Sequence, residues 1–182
     1  MREVKKALRA ELIANRKAMN PGLKNTADID IFEQLKPLAD SSSIVLTYAS
    51  TPIEVDTRRL IGYCLEKGIP VALPRSGDTE LSFYLIKSEN DLKTGRFGID
   101  EPPEDRPALY DEKALCVVPA LCADGKGARL GYGRGYYDRF LSKFGGTSVI
   151  ICYSNFKREV PAEPHDFKAN LTIFDGSTIC PF

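Results

Sequence analysis

The residues best suited to chemistry lie between Gly125 and Phe140. This stretch reads Gly125-Lys126-Gly127-Ala128-Arg129-Leu130-Gly131-Tyr132-Gly133-Arg134-Gly135-Tyr136-Tyr137-Asp138-Arg139-Phe140, with five glycines in its first eleven residues. Glycine lets the backbone turn sharply and approach a ligand closely. The amides that open a following helix favour an anion, and Arg129 and Arg134 add positive charge. The chemistry this composition suits is the holding of phosphate. It equally suits a flexible surface loop whose tyrosines pack on the core. Three common motifs are excluded by spacing. A Walker loop has four residues between its first glycine and Gly-Lys-Ser/Thr, whereas Gly127 and Gly131 enclose three and Tyr132 follows. A dinucleotide fingerprint would need glycine at Tyr136, and an RNA-binding RNP1 segment would need Gly or Ala at Tyr137.

Other candidate groups stand alone in the sequence. Lys5, Lys6 and Arg9 gather cations on one early segment, which taken alone reads as a solvated helix face. Glu54 reads as a carboxylate at a helix start, favoured there by the dipole. Asp138 could pair with Arg139, and Asp166 could be a simple loop residue.

Several elements must position these groups. Val4 to Met19 has helical spacing, with Val4, Leu8 and Leu12 on an apolar stripe flanked by Ala7 and Ile13. Lys5, Lys6, Arg9 and Arg16 border that stripe, and Pro21-Gly22 ends the helix. Leu23 to Leu38 is a second, weaker helix with Leu23, Ala27, Ile31, Leu35 and Leu38 inward and Pro37 at its end. Ser43 to Ala49 reads as a buried strand. A helix opening at Asp56-Thr57 follows, with Leu60, Ile61, Cys64 and Leu65 inward and Gly68 as its C-cap. Pro70 to Leu73 completes a βαβ unit whose loop Ser50 to Glu54 lies at the carboxyl end of its first strand. Leu81 to Ile86 and Ala114 to Ala120 are further strands, and Asn90 to Pro107 is a long ordered loop or small flap. The glycine loop from Ala123 to Gly135 leads into a helix from Tyr136 to Phe144. Thr147 to Ser154 and Leu171 to Phe174 supply the last strands. The alternation predicts an α/β fold with a mostly parallel sheet, in which loops beyond the carboxyl ends of strands bind ligands.

Bulk composition narrows the function. The chain has 182 residues, enough for one domain with a real core. Its 25 basic and 25 acidic side chains cancel, which argues against a general nucleic-acid or membrane-surface binder. The five cysteines are odd in number and lack a C-x-x-C pair, as expected of reduced thiols in a cytoplasmic protein. His165 is the only histidine, so a His-based zinc site or catalytic triad would have to use it. Met1 to Met19 is charged throughout and has no signal-peptide core. No apolar run approaches the roughly 18–20 residues of a membrane span. Carboxylates, cations, backbone amides and a bound metal are left to carry the chemistry.

The string from Pro119 and Asp124 through Arg129-Leu130-Gly131-Tyr132-Gly133-x-Gly135-Tyr136-Tyr137-Asp138-Arg139-Phe140-Leu141 resembles the signature of the 5-formyltetrahydrofolate cyclo-ligase family. Lys5-Lys6-Ala7-Leu8-Arg9 resembles that family's N-terminal K-K/R-x-L-R. Ala49 to Thr57 resembles its folate-contacting turn with E-x-x-T. Gly98-Ile99-Asp100-Glu101-Pro102 resembles its G-I-x-E-P, and Pro161 with His165-Asp166 its late P-x-x-x-x-D. Departures are Ala123 for an aromatic, Lys157 for a glutamine, and Asn170 for a frequent aspartate near the metal.

The resemblance implies a single cyclo-ligase domain over 1–182, with a Rossmann-like three-layer sandwich around a mostly parallel or mixed sheet. It implies an enzyme that uses ATP and Mg2+ to cyclise 5-formyltetrahydrofolate to 5,10-methenyltetrahydrofolate. On this resemblance ATP is held by Lys5, Lys6, Arg9 and the run Arg129, Leu130, Gly131, Tyr132, Gly133, Arg134, Gly135, Tyr136 and Tyr137. Folate is held by Ala49, Glu54, Tyr132, Gly133, Arg134, Gly135 and Tyr136. Arg134 and Tyr137 act in catalysis, and Asp138 and Asp166 hold the metal. The expected state is a monomer without nucleic-acid or membrane partners. Rival readings are a sugar-phosphate isomerase or CoA-transferase-like enzyme using Glu54 or Glu101, and a non-catalytic nucleotide- or RNA-binding module.

Overall fold

The structure is a computed structural model, and it describes residues 2–95, 98–161 and 166–181. His165 lies outside the described residues.

Strands β1 (Val45–Leu46), β2 (Val71–Ser76), β3 (Leu81–Leu85), β6 (Leu115–Pro119), β9 (Thr147–Cys152), β10 (Leu171–Phe174) and β11 (Ser177–Ile179) form one sheet, in the order β11-β10-β9-β6-β1-β2-β3. The five inner strands are parallel, and β3 and β11 pair antiparallel at the edges. The short edge strand β11 carried no alternation long enough to be read from sequence. Strand β1 is shorter than the apolar run around it. Even so, the amide of Thr47 still donates to Ala72 O at 3.0 Å, so the backbone stays engaged past Leu46. Apolar side chains at Val45, Leu46, Val117, Val118, Ile150 and Ile151 are fully buried. Each contributes about 1.5–3 kcal/mol by leaving water.

Helix α3 (Arg58–Lys67) joins β1 to β2 and ends at Gly68, whose φ of 71° suits glycine at a left-handed cap. Helix α1 (Arg2–Lys17) and helix α2 (Pro21–Asp40) divide differently from the reading above. Pro21 opens α2 rather than closing α1. Asn20 caps α2, its Oδ1 accepting from the amides of Gly22 at 2.9 Å and Leu23 at 3.2 Å. A proline at the first helical position loses no bond, because its amide would be unpaired anyway. Pro37 sits inside the last turn, and the helix continues to Asp40.

The inward stripe of α1 also corrects the sequence reading. Val4 is 58% exposed, whereas Lys5, Leu12 and Arg16 are buried. The helix has rotated so that part of its charged face meets the sheet end. On α2, Ala27, Ile31 and Leu35 are buried as their spacing implies, but Leu38 is half-buried, with Ala39 buried beside it, and Leu23 is exposed.

The order β6-β1-β2 creates a switch point, since the chain moves from β1 to β2 on one side and from β6 to β9 on the other. Crevices beyond carboxyl strand ends at such points are where open α/β sheets bind ligands. The segment after β6 is not a plain loop. Strands β7 (Cys122–Ala123) and β8 (Arg129–Leu130) form a small hairpin. Asp124 Oδ1 closes its turn by accepting from the amides of Lys126 at 2.7 Å and Ala128 at 3.0 Å. The following helix α4 (Tyr136–Leu141) stops three residues before Phe144. So short a helix brings a weak dipole, which leaves any phosphate cradle to rely on side-chain cations and loop amides. Between β3 and β6, strands β4 (Lys93–Thr94) and β5 (Asp100–Glu101) pair as a small flap.

Candidate active site

A cavity of about 970 Å³ opens at the switch point. Its walls come from the carboxyl ends of β1, β2 and β6, from α1, and from the glycine loop. Every residue named above for ATP, folate, metal or catalysis lines it, except Lys6. Lys6 is exposed and outside the lining. One residue along a helix turns the side chain by about 100°, so Lys5 and Arg9 face the cavity while Lys6 faces water.

Lys5 is buried, and its Nζ lies 2.8 Å from Asp166 Oδ2. Arg9 donates from Nε to Gly131 O at 2.8 Å, tying α1 to the glycine loop. Gly133 has φ 92°, and a Cβ there would lie 2.8 Å from Arg9 Cζ. The glycine is therefore required twice, by backbone conformation and by the closeness of Arg9. At the far side of the loop, Tyr136 donates to Gly77 O at 2.9 Å, and Arg139 to Thr79 O at 2.7 Å and Arg134 O at 3.1 Å. These bonds pin the loop to the end of β2. Arg139 is thus occupied with the loop and not with Asp138.

Asp138 is paired with Arg129, Nη2 to Oδ1 at 3.1 Å. The Arg129 side chain is 5% exposed. Its Nη1 and the Tyr137 hydroxyl are buried without a hydrogen-bond partner among the described residues. Buried donors left unpaired are uncommon and costly; both residues line the cavity, while these two atoms are themselves covered by the surrounding protein. Burial first, then the neighbouring Cys116 and Glu54, pushes the Tyr137 phenol well above its usual pKa. Tyr137 therefore stays protonated and can donate.

At the other end, Tyr48, Ala49 and Glu54 form an enclosed corner. Glu54 is buried, and its Oε2 accepts from the amide and the hydroxyl of Thr51, both at 2.8 Å. A carboxylate has about four acceptor positions, so capacity for ligand donors is left. Burial, followed by the charge of Glu54, raises the Tyr48 phenol well above its usual pKa. Glu101 is also buried at the cavity edge, but its Oε1 accepts from the Ser76 amide at 3.4 Å, a bracing contact between the flap and β2.

Asp138 and Asp166 line the same cavity, and the amide of Phe167 donates to Asp138 Oδ1 at 3.4 Å, which brings the two aspartates' segments together. Among the described residues, no group of three or more His, Cys, Asp or Glu side chains could hold an ion. Magnesium commonly binds through one or two carboxylates plus phosphates and water. The pair fits an ion delivered with a nucleotide rather than a resident cage. Asn170 is outside the cavity lining. Its Oδ1 accepts from the amide and hydroxyl of Ser148, each at 2.8 Å, bracing the start of β9. That side chain is thus engaged in the fold, away from the cavity.

Sequence reasoning missed Arg16, Tyr48, Lys17, Met19, Lys24 and Pro74 as cavity residues. Lys5, Arg9, Leu12 and Arg16 do fall on one helical stripe, but its charges gave no reason to turn that stripe inward.

The profile of the 5-formyltetrahydrofolate cyclo-ligase family matches residues 1–174. The chain is 31% identical over 172 residues to the 5-formyltetrahydrofolate cyclo-ligase of Mycolicibacterium smegmatis, covering 89% of each chain. It is 30% identical to a probable 5-formyltetrahydrofolate cyclo-ligase of Schizosaccharomyces pombe, covering 93% of this chain and 94% of that one. The NMR structure of the Aquifex aeolicus 5,10-methenyltetrahydrofolate synthetase superposes with a TM-score of 0.85 at 27% identity, covering 98% of this chain and 93% of that chain. The chain belongs to the 5-formyltetrahydrofolate cyclo-ligase family, a family of enzymes.

Proposed function

We propose that this chain catalyses the ATP- and magnesium-dependent cyclisation of 5-formyltetrahydrofolate to 5,10-methenyltetrahydrofolate, with release of ADP and phosphate. The observation that carries this reading is a single cavity with two unlike ends. One end is lined by Lys5, Arg9, Arg129 and Arg134 around a glycine loop, and the other by Tyr48, Ala49 and Glu54. The first suits a triphosphate and the second the polar edge of a pterin.

The formyl oxygen is a poor leaving group. In the proposed reaction it attacks the γ-phosphorus and ADP departs. Nitrogen-10 then bonds to the activated formyl carbon and loses its proton, and the carbon–oxygen bond breaks to release phosphate. Such a sequence needs positioning and charge neutralisation more than a side-chain nucleophile. Lys5 and Arg9 hold phosphate oxygens. The loop Arg129, Leu130, Gly131, Tyr132, Gly133, Arg134, Gly135, Tyr136 and Tyr137 wraps the nucleotide, and Gly133 keeps its backbone close to Arg9. Arg134 faces the charge developing on the transferred group, and Tyr137 acts in catalysis by bringing its covered, protonated hydroxyl to a ligand oxygen once the side chain turns into the cavity. Glu54 accepts from the pterin edge beside Ala49, with Tyr132 to Tyr136 closing over the folate. Asp138 and Asp166 would hold magnesium, which when bound neutralises phosphate charge and orients the triphosphate.

In this reading residues 1–182 act as one catalytic unit. The working state in this reading is a monomer, and the balance of 25 basic and 25 acidic side chains argues against a nucleic-acid partner. A reducing compartment such as the cytoplasm is supported by four buried cysteines held without disulfides, Cys64, Cys116, Cys122 and Cys152. Among the described residues no helix is long and apolar enough to cross a membrane.

The test is turnover of 5-formyltetrahydrofolate by purified protein, followed by methenyltetrahydrofolate absorbance. Absorbance should rise only with ATP and magnesium both present, and Arg134→Ala or Asp138→Ala should abolish it. A flat trace from folded wild-type protein rejects the reaction.

A further inference from the structure

Glu54 sits on a loop, and loops hold a geometry only where something fixes them. The ends of this one brace each other. The amide of Ser50 donates to Thr57 Oγ1, and the amide of Thr57 to Ser50 Oγ, both at 3.2 Å. Its middle is held from outside by three buried polar side chains on other elements. Arg16 of α1 donates from Nη1 to Ile53 O at 3.0 Å. The Tyr153 hydroxyl, just past β9, lies 2.8 Å from Glu54 O and 2.7 Å from Asp28 Oδ1, sharing one hydrogen between two acceptors. Asp28 of α2 accepts with the same Oδ1 from the Asp56 amide at 2.9 Å. Backbone groups at 53, 54 and 56 are thus each held, directly flanking the Glu54 side chain.

The three holders are joined to one another. The Arg16 guanidinium lies 5.2 Å above the Tyr153 ring centroid and 4.8 Å from that of Phe156. Lys24 pairs with the other oxygen of Asp28 at 2.7 Å. Arg16 also reaches the second ligand-bearing segment, donating from Nη2 to Ala120 O at 2.7 Å and Leu121 O at 3.0 Å, just after β6. Arg16 and Asp28 are 3% and 4% exposed. Charged groups are rarely buried so deeply unless paired, and hydrophobic side chains would serve the core as well. What these charges supply that apolar groups could not is direction.

We propose that Arg16, Asp28 and Tyr153 are positioning residues that set the place of Glu54 at the folate end of the cavity. They touch neither substrate's reacting atoms. They act through the backbone of residues 53 to 56, and the idea rests on the folate reading of Glu54 given above.

The test is equilibrium binding of 5-formyltetrahydrofolate and, separately, of a non-hydrolysable ATP analogue, by titration calorimetry. Tyr153→Phe removes one hydroxyl with little change of shape, and Asp28→Asn serves as the second variant. Expected is a fivefold to twentyfold rise in folate Kd, of the order of one lost buried hydrogen bond, with ATP-analogue Kd within about twofold of wild type. In a Glu54→Gln background the same substitutions should cause no further loss, because they act through Glu54. Additive losses in that cycle, equal losses for both ligands, or a fall in thermal stability with unchanged folate Kd would each overturn the proposal. Wild-type protein without folate affinity would instead reject the folate reading itself, and the positioning role with it.

Discussion

Substituting alanine at Gly133 probes the tightest part of the cradle. Two effects combine. A side chain in the left-handed region costs about 1–2 kcal/mol, and the φ of 92° at Gly133 lies beyond the centre of that region. The new Cβ would also stand 2.8 Å from Arg9 Cζ, so the guanidinium must withdraw. Its hydrogen bond to Gly131 O would then break, and a bond from a charged donor is worth about 1.5–3 kcal/mol. The loop is exposed and can relax in part. We therefore expect about 2–3 kcal/mol in the nucleotide complex, or roughly 30- to 150-fold weaker binding of an ATP analogue. Thermal stability should fall as well, because the strain and the lost Arg9 bond are present in the ligand-free protein and exceed the roughly 0.4–1 kcal/mol that alanine gains by restricting the unfolded chain. Gly145→Ala is the control, since a Cβ there meets nothing within 4 Å and its φ is not positive. The assay is calorimetric titration beside a melting curve. A folded Gly133→Ala protein that binds the analogue within threefold of wild type would refute the argument that this glycine is demanded by its conformation and by Arg9.

Other outcomes follow from the same geometry. Lys5→Ala should raise the KM for ATP at least tenfold, and Lys6→Ala should leave it within twofold, because only Lys5 turns into the cavity; steady-state kinetics decides. Asp138→Ala should abolish turnover and also lower stability by about 2 kcal/mol. It leaves Arg129 buried without its partner, a penalty below that of a fully buried pair because Asp138 is 31% exposed; urea denaturation measures it. In the folded protein a thiol reagent should modify Cys180 alone, since the other four cysteines are buried; mass spectrometry reads the count. Burial pushes the Cys116 and Cys152 thiols up to about 12. Because the unfolded chain ionises near its ordinary value and the folded chain does not, stability should hold below about pH 8.5 and fall between there and pH 12. The slope is about 1.4 kcal/mol per pH unit for each thiol. A urea midpoint unchanged from pH 7 to pH 10.5 would contradict it.

Much of this protein could be read along the chain, and the reason is local. The βαβ unit around Leu60, Ile61 and Cys64 obeyed the helical period, and Gly68 marked its end by the conformation only glycine adopts freely. The glycine loop offered phosphate holding as one of two readings, because residue types can be recognised without their partners in space. The order of Lys5, Glu54, Gly131, Asp138 and Asp166 carried the family resemblance without any fold. Spacing could not decide which side of α1 would face inward. By hydropathy Val4 belongs inside and Arg16 outside, yet Val4 is exposed and Arg16 buried. The reason is that carbonyls at 53, 120 and 121 and the rings of Tyr153 and Phe156 converge there from distant parts of the chain. A charge is stable in the interior only where such partners meet it, and only the tertiary structure brings them together. The same holds for Asn170, whose neighbours in space make it a brace for Ser148. Residue types by themselves determined what chemistry the chain could do. The crossing of α1 and the two loops over the switch point decided which residues stand where that chemistry occurs.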